Sequence, residues 1–501
     1  MKVQAQLTSV EEMAAWHAPC NTYVEGRVLA DFVSGWHMNR RHFLKSLTSA
    51  GLIVPTIGTI APTVANAAKA DLRFSDLRGS LDASKFGIRP DAYDDQSQLL
   101  QRVLDKAAAE DKPVYLPPGT YVVSNINLPA RTRLMGISGT SRLIYGGGGA
   151  LLTATGCDIV ELQGITLDGA NRPLGDEFAG LLHARACPQV YVENCAFDGS
   201  RGAAISLDTC GGRIERTRIS GADGVAGLYS VNATGLSIQD NQVTDCSNGG
   251  ILVHRWKVGE DNTIVSGNRV ERIGARLGGT GQQGNGINLF RVDGVMVTNN
   301  HISDCAFSAI RANSASNAQI TGNTCLRSGE TAIYSEFTFQ GSLIANNIVD
   351  GGTMGISIAN FNEGGRLCVC ANNLIRNLTT EGPYPAEVAG FGIGIFAEAD
   401  TSVTGNVIEG APKFGIGLGW GPYLRNVIAA NNIIRDVGEG IAVSVVRGAK
   451  STSITGNVIN KARNGGIIGH EWAKPVTPDL AMDLAANNRF PHLTIERNVV
   501  S

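Results

Sequence analysis

Four side chains in the middle of this 501-residue chain could together hold an anion and move a proton: His254, Arg311, Tyr334 and Glu336. An arginine can neutralise a carboxylate through two parallel N–H bonds. A histidine or tyrosine can then transfer the proton on the carbon beside that carboxylate, or protonate a leaving oxygen, with the glutamate orienting the arginine. The plainer alternative is a surface ion pair and a solvated imidazole. Around these four lie Tyr229, Arg255, Trp256, Asn288, Arg291 and Asn313, polar and aromatic residues suited to contacting a ligand.

These residues share a position. Each falls in or beside a short segment in which a small residue is followed by I-x-[VIL], as in Gly250-Ile251-Leu252-Val253, Gly286-Ile287-Asn288-Leu289 and Gly355-Ile356-Ser357-Ile358. Alternation with period two means strand. With the isoleucine inward, the residues one and three places later face out. That outward set is Tyr229, Leu252, His254, Asn288, Phe290, Arg311, Asn313, Tyr334, Glu336 and Ser357, with Arg255, Trp256 and Arg291 at the following turn. Farther on, the same places hold Gly394, Gly417, Gly419, Ala442 and Ser444, a face expected to be bare. His183 falls at inward parity, and Cys368 and Cys370 read as core thiols.

A second pattern, I-x-x-N-x-I, puts asparagine at 241, 268, 300, 323, 347, 373, 406, 432, 457 and 498, with Ile165, Cys195 and Thr217 in the same slot upstream. Strands this short must stack coil upon coil to bury a face, which makes the body an all-β solenoid, a parallel β-helix of about 12 to 14 coils. The asparagines are expected to form a ladder along the stack, each tolerating a left-handed bend. Three ladder-to-strand segments are longer than the rest, after Ile165, Asn268 and Asn373, all at one corner. Two of these insertions, Arg276 to Gln283 and Thr379 to Ala389, stand about 19 Å apart at ~4.8 Å per coil and would wall a groove around the strip.

Composition limits the alternatives. With 42 Lys+Arg against 45 Asp+Glu the net charge is −3, so no basic field exists to hold nucleic acid. Only 17% of residues are charged and 62 are glycine, which argues against helical bundles. No outward cluster of aspartates offers a calcium site, and no metal or other cofactor is expected.

The segment FGIRPDAYDDQSQLLQRVLDKAAAEDKPVYLPPGTYVVSNINLP, from Phe86, resembles the opening of pectate-lyase-like right-handed β-helix proteins. Here Asp94 or Asp95 would cap a helix over about 95–110 that plugs the first coil, with Leu99, Leu100, Val103 and Leu104 on its buried face. In those proteins the substrate groove lies beside the strand and corner singled out above. Residues Asn39 to Ser46, NRRHFLKS, followed by a mildly apolar stretch and Ala65-Asn66-Ala67, resemble a twin-arginine export signal with Arg40 and Arg41 as the pair. Signal and repeats together resemble a twin-arginine-translocated repeat family of unassigned activity.

The expected organisation is therefore a mis-started stretch over 1–37 with Met38 as the start, a signal over 38–67, a cap over 68–112, and the β-helix over 113–501. At its far end Thr477-Pro478-Asp479 is expected to open a short helix to about Ala486. Expected partners are the export machinery and a polysaccharide or cell-envelope glycan, in the periplasm or outside the cell, with no membrane anchor after cleavage.

Two functions remain open. One is a lyase or C5-epimerase of a uronate polymer, with Arg311 (or Arg291) on the carboxylate and Tyr334 or His254 moving the proton. The other is a non-catalytic glycan-binding or structural β-helix. Glycoside hydrolysis ranks third. It generally needs two carboxylates about 5 to 9.5 Å apart, whereas the outward Asp208 and Glu336 are five coils, about 24 Å, apart. Loop residues such as Asp176, Glu177, Glu381 or Glu387 would have to fold in.

Overall fold

The computed structural model describes residues 79–501 except 280, 360–363 and 386–389. The export-signal residues, including Arg40 and Arg41, the Met38 start and the Ala67 cleavage site lie outside the described residues. Among the described residues three sheets run from Leu81 to Val500, with 16, 15 and 15 strands, parallel but for one. One coil shows the plan: Ser237–Gln239 in sheet A, Gln242–Thr244 in sheet B, Gly249–Glu260 in sheet C, then back to A at Ile264–Ser266. The last strand of sheet C is antiparallel, which leaves 14 parallel coils.

The inward isoleucines stack in register. Ile205, Leu228, Ile251, Ile287, Ile310, Ile333, Ile356, Ile395, Ile416, Ile441 and Ile467 form one column of sheet C, each with no exposed surface. Burying each contributes roughly 1.5–3 kcal/mol. The described cysteines are all buried and unpaired, Cys368 and Cys370 among them.

The ladder occupies the corner between sheets A and B and is continuous from Asn241 to Asn498. Asn347 shows the rung: its Nδ2 donates to Ile320 O (2.9 Å) and Asn373 Oδ1 (3.0 Å), while its Oδ1 accepts from Asn323 N (2.9 Å) and Asn323 Nδ2 (3.0 Å). Upstream the backbone part of the rung persists: the Thr217 N–H donates to Asn241 Oδ1 (3.0 Å), and the Thr217 hydroxyl receives the N–H of Cys195 at 3.4 Å. The left-handed residue is not the ladder asparagine, as the sequence suggested, but the one before it: Asp240, Gly267, Asn299, Gly322, Asn346, Asn372, Gly405, Asn431, Gly456 and Arg497 all have positive φ. The ladder side chain can then point into the stack from ordinary backbone.

Both ends are covered. The first helix, α1, runs Ser97–Ala109, shorter than expected by two residues at the front; Asp95 accepts the Ser97 N–H (2.9 Å). Its buried face is Leu100, Val103, Leu104 and Ala107, with Leu99 only half-buried. At the far end, Thr477-Pro478-Asp479 belongs to a strand, Lys474–Asp479, that turns back on Ile467–Glu471; the helix, α2, is confined to Leu484–Asn487. Asp479 shares its carboxylate among the N–H groups of Gly466 (2.6 Å), Ile467 (3.0 Å) and Ala481 (3.0 Å), closing the hairpin and the turn that follows it.

Candidate functional site on sheet C

Sheet C carries the two outward columns in the expected register. One is Tyr229, Leu252, Asn288, Arg311, Tyr334, Ser357; the other is Val231, His254, Phe290, Asn313, Glu336. The three long insertions all leave the corner between sheets B and C. Parity in Asn285–Asp293 and Thr331–Glu336 thus brings the chemistry-bearing residues onto one face.

Arg311 does not face solvent. Its Nε and Nη2 donate to Glu336 Oε1 (2.7 Å) and Oε2 (3.1 Å), its Nη1 lies 3.9 Å from Glu330 Oε2, and its guanidinium stacks 4.9 Å over the Tyr334 ring. Asn313 adds a bond to Glu336 Oε1 at 3.3 Å. The residue placed to orient Arg311 therefore occupies it. Arg311, Glu330 and Glu336 are 8%, 4% and 5% exposed. Burial is the largest single effect and lowers the Arg311 pKa, but the Glu336 charge and hydrogen bond, with Tyr334 and Glu330, together make the net direction up. Burial pushes Glu336 above the usual carboxylate range against the opposing pull of Arg311, and it pushes the Tyr334 phenol up strongly.

Glu330 was missed because it lies in the turn before the strand, where parity says nothing. Tyr384, from the second insertion, donates its hydroxyl to Glu330 Oε1 and packs edge to face on Phe391. Burial and that bond to a carboxylate both raise its pKa. Two carboxylates thus flank one guanidinium under a tyrosine lid contact. Of the loop carboxylates considered for this role, Glu387 lies outside the described residues.

His254 is 7% exposed and sits between Tyr229 and Phe290, ring centroids 5.6 and 5.7 Å away. Its Nε2 is buried without a hydrogen bond, and desolvation holds its pKa down to about 4. The imidazole is neutral at pH 7. Tyr229 is itself half-buried, its pKa raised to about 12 by burial.

Beyond His254 the strand bulges: His254 pairs with Phe290, but Gly259 is the next residue in register, opposite Val292. The extra residues project Trp256, 53% exposed, with Lys257 and Val258. Arg291 donates to Trp256 O (2.9 Å) and stacks 4.8 Å over Phe290. Arg255 donates to Ala233 O (3.1 Å), with its nearest carboxylate, Asp261, at 4.0 Å. This lip is aromatic and cationic.

Asn288 serves the first insertion rather than a ligand: its Nδ2 donates to Gly281 O (3.0 Å) and Gln282 O (3.5 Å). Asn313 is likewise engaged, accepting from Ser314 Oγ at 3.0 Å besides its bond to Glu336. His183 is on the outward side, in register with Ser206 and Tyr229, because Leu182 and not His183 stacks on the inward Ile205. The supposedly bare face is also different. Ile395 continues the inward column, so Phe396 and not Gly394 faces out, in register with Gly417 and Ala442. A further outer column, two places before the inward isoleucine, holds Met354, Ile393, Phe414 and Glu439. Met354, Ile393, Phe414, Phe396 and Ala442 form an apolar cluster separate from the main core.

Three family models match successive parts of the chain: "Rhamnogalacturonase A/epimerase, pectate lyase-like" over residues 81–155, "Right handed beta helix region" over 144–270, and "Periplasmic copper-binding protein (NosD)" over 261–481. With the three-sheet solenoid, these matches place the chain in the right-handed parallel β-helix superfamily. Similar curated proteins include the pre-neck appendage proteins of Bacillus phage phi29, 34% identical over 128 residues, and of Bacillus phage PZA, 31% identical over 144 residues. These segments are 22% and 25% of this chain, and the chain spans only 15% and 16% of those proteins. Similar solved structures include phi29 gene product 12 (18% identity, TM-score 0.45, 78% of this chain and 55% of that one). Another is the A-module of the Azotobacter vinelandii mannuronan C-5 epimerase AlgE6 (16% identity, TM-score 0.43, 84% of this chain and 99% of that one). At these values neither bears on activity.

The copper-binding description of one model is not matched by a donor set. Among the described residues no three of His, Cys, Asp or Glu come together to hold a metal ion. Histidines and cysteines of the matched segment, such as His301, His470, Cys368 and Cys370, are dispersed or buried in the core.

Proposed function

We propose that the protein is an exported glycan-recognition β-helix that holds an acidic polysaccharide against the lip of sheet C. One observation carries this reading. Of the groups able to move a proton, His254, Glu336 and Glu330 are buried, with the carboxylates bound to Arg311 and Tyr384, and Tyr334 is half-buried under the Arg311 guanidinium, whereas the exposed groups around Trp256 are aromatic and cationic. Stacking against an indole and pairing with Lys257, Arg255 and Arg291 suits a uronate-rich chain. A uronate lyase or epimerase needs a cation free to receive the substrate carboxylate, and Arg311 is taken by Glu336. The export component rests on the NRRHFLK motif alone.

Retention in native gels cast with alginate, pectate or a neutral glucan, together with turnover assays on the same polymers, tests the reading. The expected result is retention by the acidic polymers, weakened by added salt and by Trp256→Ala, with no product. Unsaturated uronate ends absorbing in the ultraviolet, lost in His254→Ala or Tyr334→Phe, would overturn it in favour of a lyase. For export, changing Arg40 and Arg41 to Lys should leave the protein in the cytoplasm; continued export would refute that part.

A second reading has its own observation. Glu330 and Glu336 stand on either side of the Arg311 guanidinium, a pair of carboxylates of the kind hydrolysis uses, and burial raises the Glu336 pKa above the usual carboxylate range. New reducing ends without unsaturated product, abolished by Glu330→Gln and by Glu336→Gln, would establish glycoside hydrolysis.

A further inference from the structure

At the C-terminal end of sheet C a shallow cleft, with only about 20 Å³ of enclosed space and otherwise open to solvent, lies over the floor that the strand pattern marked as bare. The floor is Gly417 and Ala442, adjacent in register. Its walls come from elsewhere. Phe396 belongs to the preceding coil, Trp420 to the turn after strand Phe414–Leu418, and Trp472 to the tip of the terminal hairpin. The two indoles meet edge to face at 5.7 Å, and Trp472 is 46% exposed. Only glycine fits at 417, where a Cβ would lie 2.7 Å from both the Phe396 and Phe414 rings.

One cation lines this cleft. Lys413 is half-buried with its ammonium 5.3 Å over the Phe414 ring, and among the described residues it forms no ion pair. The acidic group whose field reaches it, Glu439, is already bound to His470 Nε2 at 2.7 Å. Burial lowers the Lys413 pKa, with Glu439 opposing, so placing a second anion beside it is favourable.

We propose that this cleft is a second recognition site that takes one pyranose ring bearing a carboxylate, its C–H face against Trp472 and its carboxylate on Lys413. A single ammonium without a nest of backbone N–H groups suits a carboxylate better than a phosphate. The open mouth leaves the ring hydroxyls hydrated, which a wholly apolar anion would not need. The site shares no residue with the lip around Trp256 and stands without it.

Tryptophan fluorescence of the full-length protein, titrated with oligogalacturonate and with a neutral gluco-oligosaccharide of equal length, tests the proposal in a Trp256→Phe background. A saturable change with the acidic oligomer is expected, weakened about tenfold in Lys413→Met and lost in Trp472→Ala, with melting temperatures checked for each variant. Equal response to the neutral oligomer, or unchanged affinity in Lys413→Met, would overturn it. Acid binding that disappears in Trp256→Ala but survives Lys413→Met would assign the polymer to the lip alone. The converse would keep the cleft and remove the lip.

Discussion

The corner between sheets A and B and the face of sheet C carry polar side chains in comparable abundance, yet they are built on opposite principles. At the ladder corner the rungs from Asn268 to Asn457 repeat: one asparagine, at least four side-chain hydrogen bonds, a left-handed residue just before it. On sheet C no coil repeats its neighbour, and buried polar groups meet in unlike sets, Arg311 with Glu330 and Glu336 in one place and Glu439 with His470 in another. Periodic polarity here satisfies backbone groups and stabilises the stack. Aperiodic polarity is spent on something other than stacking, since an isoleucine at any of those positions would serve the solenoid as well.

The contrast can be tested by breaking each region. Asn347→Val should have the largest effect, because it leaves Ile320 O, Asn323 N and Asn323 Nδ2 buried without partners, each costing about 1–3 kcal/mol. Denaturant titration should show this loss, while Asn346→Val should lose only the ~1–2 kcal/mol of a strained left-handed backbone. Equal losses would mean that the rung bonds do little. Arg311→Met should come next, at roughly 3–5 kcal/mol, since it strands buried carboxylates. Joint Arg311→Met and Glu336→Met should recover much of that loss, whereas no pair of substitutions on the ladder should compensate in this way.

His254 predicts a pH signature that the ladder lacks. Its folded pKa, about 4, is below the ordinary 6.5, so the unfolded chain takes up a proton that the folded one refuses. Stability from this group is full above pH 6.5 and declines as pH falls toward 4, by about 3 kcal/mol in all. His254→Phe should flatten the pH dependence of the melting temperature in that window; an unchanged slope would show that the imidazole is not held neutral. Tyr384→Phe should have the smallest effect, about 1.5 kcal/mol or less, seen as faster proteolysis of the second insertion.

The two regions also differ in how legible they were. Ladder and strand parity follow from local rules, so the columns through Arg311 and His254 were readable residue by residue. Even the left-handed positions were written in the sequence as Gly, Asn or Asp before most ladder asparagines. Glu330, Tyr384, Trp420 and Trp472 were not readable, because they lie in turns and insertions whose paths depend on tertiary packing. The C-terminal face was misjudged for the same reason. Glycine looked like absence of chemistry, but at Gly417 it makes room for rings delivered by neighbouring coils. Gly394 shows how a two-residue error of register in one coil hides an outward aromatic, Phe396.

The hairpin of Ile467–Glu471 and Lys474–Asp479 has a meaning for how far sheet C can be copied. Its outer strand carries Pro475 and Pro478, which have no N–H to offer, while the hydroxyl of Thr477 and the carboxylate of Asp479 take up the N–H groups of Gly469, Gly466 and Ile467. Seen as a template, the last coil is erased: the donors that would copy another layer onto sheet C are answered by side-chain oxygens of the same chain. Sheet C is closed in this way after its 14th parallel strand, so side chains of the chain itself, and not a partner strand, decide where that one sheet stops.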